Sequence, residues 1–278
     1  MLSVTSGFAV LIIVVMIATV TAVGRRFIRA AAVASGATGN RPPAVRLVTP
    51  LIGGWLVLAI ALATTGFFVT DASEAPPRIA WAVVPLVLGI ALLAASPGLR
   101  RTIDAVPPDR LIGVQLYRVL GGVFLVGWAL GIFPTVFALP AGFGDVLIGV
   151  TAPLVAKNLR NGYPLSRRLA ILWNVVGLAD LVMAVTLGVL SAPGQLQRFA
   201  FDRPNVAISE FPFVIVPTVL VPLSVLLHVF SLRSLTRSRS AAIPVGLDRR
   251  ARGLGTGGLS RVGEKPALEE LSGANERH

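Results

Sequence analysis

Long apolar segments, separated by short polar ones, run along most of the chain. Seven stand out, at approximately residues 4–23, 47–70, 79–97, 111–133, 141–156, 169–191 and 211–232. Most come close to the ~20 residues that an α-helix needs to cross a hydrocarbon core of about 30 Å. They are apolar on every side, as a helix surrounded by lipid is. The pattern predicts an all-α fold: a polytopic transmembrane helix bundle with seven spans.

Two of these segments have an alternative interpretation. The fifth, 141–156, is short and is flanked by Pro140 and Lys157, so a re-entrant or surface segment is the alternative to a full crossing. The first resembles the apolar part of a signal peptide, but Arg25 and Arg26 follow the apolar run instead of preceding it. A retained first span therefore fits this segment better than a cleaved signal.

The distribution of basic residues predicts the orientation of the bundle. With the N-terminus outside, 21 of the 25 lysines and arginines fall on the cytoplasmic side, in the connections 24–46, 98–110 and 157–168 and in the C-terminal tail. Cytoplasmic loops of membrane proteins carry such an excess of positive charge. An even number of spans would place the nine basic tail residues outside. We therefore predict an N-out/C-in topology in a bacterial inner (plasma) membrane.

The last apolar segment marks a domain boundary. Residues 1–232 form the predicted transmembrane domain, whereas residues 233–278 are rich in Arg, Ser and Gly and lack apolar runs. Such a tail buries too little apolar surface to fold alone, so we expect it to be mostly disordered. The lipid bilayer is the predicted partner, and anionic lipid headgroups are candidate partners of the basic inner loops and tail.

The composition narrows the function classes. Hydrophobic residues make up 54% of the chain, charged residues only 14%, and the formal net charge is +12. Because the basic residues lie in particular loops between spans, the charge indicates topology, and we do not expect nucleic acid as a partner. The chain has no cysteine, which excludes disulfides, thiolate metal sites and cysteine nucleophiles.

Several polar side chains lie inside the apolar segments, where an ionisable group costs roughly 3 kcal/mol. Such groups usually face the interior of a bundle and have partners there. The candidate site residues are Gln115, Arg118, Asn174, Asp180 and His228, with Asp145 as a further candidate at the outer end of the fifth span.

Counting residues from the predicted span ends places Gln115, Arg118, Asn174 and His228 in one layer on the cytoplasmic side, with Asp180 deeper. Helical spacing puts Gln115, Arg118 and Gly122 on one face of the fourth span. By the same spacing, Gly142, Asp145 and Gly149 share a face of the fifth span.

This layer has two interpretations. It is either a wet cavity in which Arg118 binds an anion and His228 and Asp180 exchange protons, or a fixed network that locks helix packing. We expect Asp145 to act as a helix cap or loop partner. A water-filled cavity would favour the first interpretation, and a dry layer with Arg118 saturated by neighbours would favour the second.

The inventory of catalytic and metal-binding residues is thin. Only two histidines, His228 and His278, are present, so neither a bis-histidine haem nor a three-histidine metal site can form within one chain. The two lysines, Lys157 and Lys265, lie outside the span centres, which argues against a retinal Schiff base. We therefore expect no cofactor, no metal site and no identifiable catalytic residues, which makes an enzyme the least favoured class without excluding it.

Three functions remain open from the sequence. The favoured one is a small transporter or permeation protein with an intramembrane polar layer. The first alternative is a sensor or scaffolding protein that acts through its basic cytoplasmic tail. The second is a membrane-embedded enzyme that acts on a lipid-borne substrate.

Overall fold

The computed structural model describes residues 43–69, 77–104 and 106–237, together with a few single helical positions between 14 and 25. Within these ranges the chain is helical and forms no strand. The first predicted span and nearly all of the predicted tail lie outside them.

The first half of this region contains three helices. Helix α1 is Pro43–Thr64, and α2 is Val84–Ala95, which continues directly from the 3₁₀ segment Arg78–Val83. The short helix α3, Pro97–Asp104, follows at once. Pro77 directly precedes the 3₁₀ segment, and Pro97 is the first residue of α3. Proline is tolerated at a helix start because its missing N–H would have no partner there and its fixed φ suits the helix.

The second half contains the longer helices. Helix α4, Pro108–Val114, passes through the 3₁₀ segment Gln115–Gly121 into α5, Gly122–Ala129. Helix α6 is Thr135–Arg160 and α7 is Ser166–Ser191. The π-helical turn Val216–Leu220 leads into α8, Val221–Arg237.

Five of these segments are long and apolar enough to cross a membrane, at Arg78–Ala95, Pro108–Ala129, Thr135–Arg160, Ser166–Ser191 and Val216–Arg237. The apolar part of α1, Pro50–Thr64, is shorter. Large apolar side chains are exposed along the outer faces, such as Phe143, Leu147, Val150 and Leu154 on α6. An apolar helical exterior of this extent is typical of a protein surrounded by lipid, and the chain is accordingly a membrane helix bundle.

The fifth predicted span is longer than its apolar pattern indicated. Helix α6 begins six residues before the predicted start at residue 141 and ends four residues after the predicted end at 156. Its 26 residues include Pro140 and Pro153. Prolines inside membrane helices are tolerated because neighbouring groups satisfy the carbonyls that they leave free, so Pro140 does not mark the helix start.

Helix α6 packs between the α4–α5 span and α7. Near the N-terminal end of α6, four phenylalanines form an edge-to-face aromatic cluster: Phe124, Phe133, Phe137 and Phe213, with ring centroids 4.9–5.8 Å apart. Aromatic rings prefer such tilted arrangements. This cluster fixes the end of the bundle away from the basic loops.

Proline explains the irregular turn before α8. Pro222 has no N–H to donate to the carbonyl of Thr218, four residues earlier, so that carbonyl lacks its usual helical partner. The indole Nε1–H of Trp55 on α1 donates to it instead, at 2.8 Å. The interrupted segment is thus stabilised from a neighbouring helix.

An ion pair joins α3 to the end of α8. Arg233 donates to Asp104 through two nitrogens, with Nε–Oδ1 and NH2–Oδ2 distances of 2.8 and 3.2 Å. Arg237 also contacts the Asp104 carboxylate. This Asp104 clasp therefore ties the last turns of α8 to α3.

Candidate functional site

Arg118 lies on the 3₁₀ segment that interrupts the α4–α5 span. With three residues per turn, side chains three apart are eclipsed. Gln115, Arg118 and Gly121 therefore share one buried edge, and the sequence-based expectation that Gly122 belongs to it is wrong. Gly122 instead faces Val146, 3.4 Å from its Cβ position.

Every guanidinium donor of Arg118 has an acceptor. Nε–H donates to Asp145 Oδ1 at 2.8 Å, and NH2 contacts Asp145 Oδ1 at 2.7 Å as well as Asp180 Oδ2. NH1 lies 3.3 Å from the carbonyl oxygen of Gly177 and 3.0 Å from Nε2 of His228. A guanidinium has five N–H groups and no acceptor. The Arg118 side chain, 1% exposed, is thus saturated by α6, α7 and α8.

The hydrogen-bond pattern assigns the tautomer of His228. Because Arg118 can only donate, Nε2 of His228 must accept, which leaves the ring neutral with its proton on Nδ1. Nδ1–H then donates to Asn174 Oδ1 at 2.9 Å. Asn174 Nδ2 in turn donates to the carbonyl of Ala170 and to Ser231 Oγ, at 2.7 and 3.1 Å. The Arg118 network thus continues without a break from α6 through α7 to α8.

Glycines create the space for the charged side chains. A Cβ atom on Gly121 would overlap the Asp145 carboxylate, and one on Gly144 would overlap Oδ1 of Asp180. A Cβ on Gly177 would likewise meet the His228 ring, 2.5 Å from Nε2. Small residues let membrane helices approach closely. Here each one faces a polar side chain of a neighbouring helix.

The structure places the predicted site residues differently from the predicted inner layer. Arg118, Asn174, Asp180 and His228 come together, but the buried Gln115 side chain has no hydrogen-bond partner among the described residues. The helices extend further at their basic ends than their apolar segments do. Asn174 and His228 consequently lie eight and nine residues from those ends, or about 12 and about 14 Å at ~1.5 Å per residue.

Asp145 differs most from its predicted position. Because α6 begins at Thr135, Asp145 lies ten residues into the helix, and it neither caps the helix nor pairs with a loop. It is instead an ion-pair partner of Arg118. The face that it shares with Gly142 and Gly149 packs on the interrupted span, where Gly149 approaches the backbone of Val119.

The Arg118 network carries more negative than positive charge. One guanidinium faces the two carboxylates of Asp145 and Asp180, while His228 accepts as a neutral ring. With both carboxylates ionised the net charge is −1. Asp180 Oδ1 is buried against Gly144 and has no hydrogen-bond partner in the described part of the chain. An uncompensated buried charge is costly, so the second negative charge favours neutralisation, of which a proton on one carboxylate is the simplest form.

A cavity of about 20 Å³ adjoins the network on the side of Asp145. Its lining includes Arg118, Gly121 and Asp145 from one side and Leu220 and Ser224 from the π-helical turn and α8. It also includes Tyr117, whose hydroxyl lies 2.6 Å from Ser224 Oγ and 3.4 Å from the carbonyl of Leu220. This volume has room for about one water molecule.

The acidic residues and the histidine do not form a transition-metal site. Asp145, Asp180 and His228 surround Arg118, whose guanidinium occupies the space between them. Among the described residues no three His, Cys, Asp or Glu side chains converge on a common point.

Sequence reasoning missed Tyr117, Gly144 and Ser231. The hydroxyl side chains carry no charge and are frequent in membrane helices, so nothing distinguishes them in one sequence. Ser224, by contrast, shares a helical face with His228 at i and i+4, and that spacing is a usable signal.

One comparison with known proteins identifies a family. A family model described as a domain of unknown function (DUF8737) matches residues 76–236. No curated protein and no solved structure matches the chain. Of the five membrane-length helices found among the described residues, the match contains four in full and the fifth up to its penultimate residue, together with the whole Arg118 network. Since the match covers more than half of the chain, the protein belongs to the DUF8737 family.

Proposed function

We propose that this protein is a small transporter or permeation protein of a bacterial inner membrane. The observation that carries the proposal is the meeting of two interrupted spans at the charged network. The 3₁₀ segment supplies Tyr117, Arg118 and Gly121, and the π-helical turn supplies Leu220. Interrupted helices that meet at polar groups within the membrane are typical of transporters, and such segments often act as hinges.

The arrangement corresponds to a closed conformation. Arg118 is saturated, and the adjoining cavity of about 20 Å³ is too small for an organic solute. Another small cavity, about 30 Å³ and lined mainly by apolar residues that include Ile79 and Val189, lies elsewhere in the bundle. Transport by this bundle therefore requires that α8 separate from the 3₁₀ segment, opening the space between Tyr117 and Ser224.

The proposal includes the full topology. Seven spans, with the N-terminus outside and the C-terminus inside, place the connections at 98–110 and 157–168 in the cytoplasm together with residues 233–278. In this topology the inner leaflet would contact five arginines of these connections: Arg100, Arg101, Arg110, Arg160 and Arg168. Anionic lipid headgroups are their proposed partners, at about 1 kcal/mol for each basic residue near the surface. Stabilisation of the detergent-solubilised protein by phosphatidylglycerol, but not by phosphatidylcholine, would support this contact.

The absence of cysteine allows a direct test of opening. In Ser224→Cys the introduced thiol is unique in the chain. If the cavity opens to water, a small charged thiol reagent modifies this thiol in native membranes, although Ser224 is only 2% exposed in the closed structure.

Two matched variants calibrate the labelling. Tyr163→Cys, in an exposed turn, sets the rate for full access to water, and Leu147→Cys, on the apolar exterior, sets the rate for a lipid-facing thiol. A Ser224→Cys variant no more reactive than Leu147→Cys would overturn the transport proposal.

A sensor or scaffolding role is the second candidate, and the saturation of Arg118 favours it. Helix α8 joins the network, through His228 and Ser231, to the Asp104 clasp at the start of the basic tail. A change in the network would thus reach the tail along one helix. This role predicts a protected thiol in Ser224→Cys, opposite to the transport proposal.

A further inference from the structure

We propose that the assembled Arg118 network binds one proton, which Asp180 holds in the closed conformation and releases when the bundle opens. The inference rests on the transport proposal and assigns the proton as the coupled ion. It begins with the charge balance described above, in which two carboxylates face one guanidinium. Carboxylates that share a site rarely ionise together, because each charge repels the other. One proton neutralises the network without any further group.

The contacts of Arg118 distinguish the two carboxylates. Asp145 Oδ1 contacts two guanidinium nitrogens, Nε at 2.8 Å and NH2 at 2.7 Å. Asp180 contacts NH2 alone, through Oδ2. The remaining nitrogen, NH1, is directed to the carbonyl of Gly177 and to the His228 ring. The guanidinium therefore stabilises the anion of Asp145 more than that of Asp180, and Asp180 is the residue that keeps the proton.

The second oxygen of Asp180 is the position of the proton. Oδ1 is buried and has no hydrogen-bond partner in the described part of the chain, and the whole side chain is only 8% exposed. It packs against the backbone of Gly144, where a Cβ atom would overlap it. A negative charge here would be far more costly than a neutral O–H group. With the proton on Oδ1, the carboxyl still accepts from Arg118 through Oδ2.

The other ionisable groups around Asp180 do not supply the missing positive charge. The 3₁₀ segment contributes Arg118, which is already counted, and Tyr117, whose hydroxyl is directed to α8. Helix α6 contributes the second carboxylate, Asp145, and α8 contributes His228, which accepts from Arg118 as a neutral ring. Helix α7 itself has no ionisable residue after Arg168 except Asp180. Neutralisation therefore falls to a proton on Asp180.

Opening of the bundle provides a route for proton release. If α8 separates from the 3₁₀ segment, NH1 of Arg118 loses the His228 ring. Its other acceptor, Gly177, lies three residues before Asp180 and thus on the same face of α7. The freed N–H is then available to Asp180 and stabilises its anion. The O–H bond of the carboxyl breaks, its proton passes to water in the opened space, and the negative charge stays on Asp180. Intramembrane aspartates serve as proton relays in pumps and transporters.

The direct test is the infrared spectrum of the purified protein at neutral pH, in a detergent without carbonyl groups. A protonated carboxyl has a carbonyl-stretch band separate from the bands of carboxylates and amides. We expect this band in the wild type, a shift of the band in deuterated water, and its loss in Asp180→Asn. Asp109→Asn should keep it, because Asp109 is paired with an exposed arginine, Arg160, at 3.6 Å. A wild-type protein without the band would overturn the proposal.

Two asparagine variants identify the carboxyl that holds the proton. Asparagine has the shape of a neutral aspartic acid, so Asp180→Asn should unfold close to the wild-type temperature at neutral pH. Asp145→Asn removes the anion that pairs with Arg118 and should unfold several degrees lower. If Asp180→Asn is the less stable of the two, the assignment of the proton to Asp180 is wrong.

The pH dependence of stability gives a second readout of the same proton. The folded network holds a proton that the unfolded chain releases at neutral pH. The stability that Asp180 contributes is therefore present at low pH and is lost as the pH rises. The unfolding temperature of the wild type should fall with rising pH more steeply than that of Asp180→Asn. Identical pH profiles would contradict the proposal.

Proton release on opening predicts that the bundle opens more readily as the pH rises. The readout is the labelling rate of Ser224→Cys divided by that of Tyr163→Cys, which corrects for thiol ionisation. This ratio should rise several-fold from mildly acidic to mildly alkaline pH. With Asp180→Asn added to Ser224→Cys no proton remains to be released, and the ratio should stay constant. The same pH response with and without Asp180→Asn would overturn the release step.

The outcomes separate this inference from the transport proposal. A protonated Asp180 in a protein whose Ser224→Cys thiol is no more reactive than that of Leu147→Cys keeps the proton site and ends the transport role. A reactive Ser224→Cys thiol in a protein without the infrared band leaves a transporter that holds no proton at Asp180.

Discussion

Oδ1 of Asp180 occupies the place where a side chain at Gly144 would begin. Gly144 follows Phe143, an exposed residue on the outer face of α6, and directly precedes the ion-paired Asp145. The close approach of α6 and α7 at this point therefore depends on the absence of a Cβ atom. Because Asp180 is held by Arg118, its carboxylate cannot turn aside without losing that contact.

Gly144→Ala should therefore disrupt the Arg118 network. We expect a loss of at least about 3 kcal/mol, combining overpacking with the breaking of a buried ion pair. The measurement is the thermal unfolding temperature in a detergent micelle or nanodisc. Gly113→Ala is the matched control, since its added Cβ would meet Ala156 at an ordinary 3.5 Å. Equal unfolding temperatures for the two variants would contradict this account.

Arg118→Lys tests whether the planar guanidinium is essential. Lysine keeps the charge but offers three donors from one point, so it cannot reach groups on three helices at once. We expect destabilisation of about 3 kcal/mol, near the lower end for breaking a buried pair. Arg233→Lys, in the partly exposed Asp104 clasp, should cost less than about 1 kcal/mol. Denaturation midpoints for both variants would show whether this difference exists.

Trp55 and Pro222 should show coupled effects on stability. Trp55→Phe removes the donor to the Thr218 carbonyl and should cost about 1–3 kcal/mol. Adding Pro222→Ala restores a backbone N–H in reach of that carbonyl, so the double variant should recover part of the loss. A double-mutant cycle of unfolding free energies measures the coupling. Strict additivity would show that Thr218 is not the link between the two residues.

The Asp104 clasp should protect the end of α8 from proteolysis. In Asp104→Asn the carboxylate that holds Arg233 and Arg237 loses its charge, and trypsin should cleave after Arg237 faster than in the wild type. Rates from gel or mass analysis of the purified protein provide the measurement. Asp109→Asn should leave the cleavage rate unchanged, because its partner Arg160 lies in a different connection.

The proposed orientation predicts which exposed loop positions face the cell exterior. In intact cells an impermeant maleimide should label Phe201→Cys, in the loop after α7, but not Tyr163→Cys, in the turn before it. Permeabilisation should make the thiol of Tyr163→Cys reactive. The opposite pattern would reverse the topology and place the basic connections outside.

Ionisable residues were the part of the site that the sequence could indicate. Arg118, Asp180 and His228 stand out because ionisable residues are rare in apolar segments. In the structure, Arg118 contacts both Asp180 and His228. The position of Asp145 was not predictable, since hydropathy alone does not show that a helix continues through Pro140. The edge shared by Arg118 and Gly121 was hidden as well, because an α-helical period was assumed where the chain is 3₁₀-helical.

Most helices were visible as apolar segments, yet their ends were not. The basic ends of α6, α7 and α8 extend past the apolar runs, with Lys157, Arg167 and Arg233 still helical. Long basic side chains extend towards water while their backbone stays helical. Hydropathy therefore located the polar residues nearer the helix ends than they are.

The distribution of the ion-paired residues along the chain has a consequence for biosynthesis. Arg118 and its two acidic partners lie on three successive membrane-length helices. Each alone would enter lipid with an unpaired charge, at roughly 3 kcal/mol. The ribosome must therefore synthesise the chain through Ser191, the end of α7, before all three charges can be paired. Lateral release from the translocon is then expected to be concerted, with the Arg118 helix retained until both aspartates have arrived.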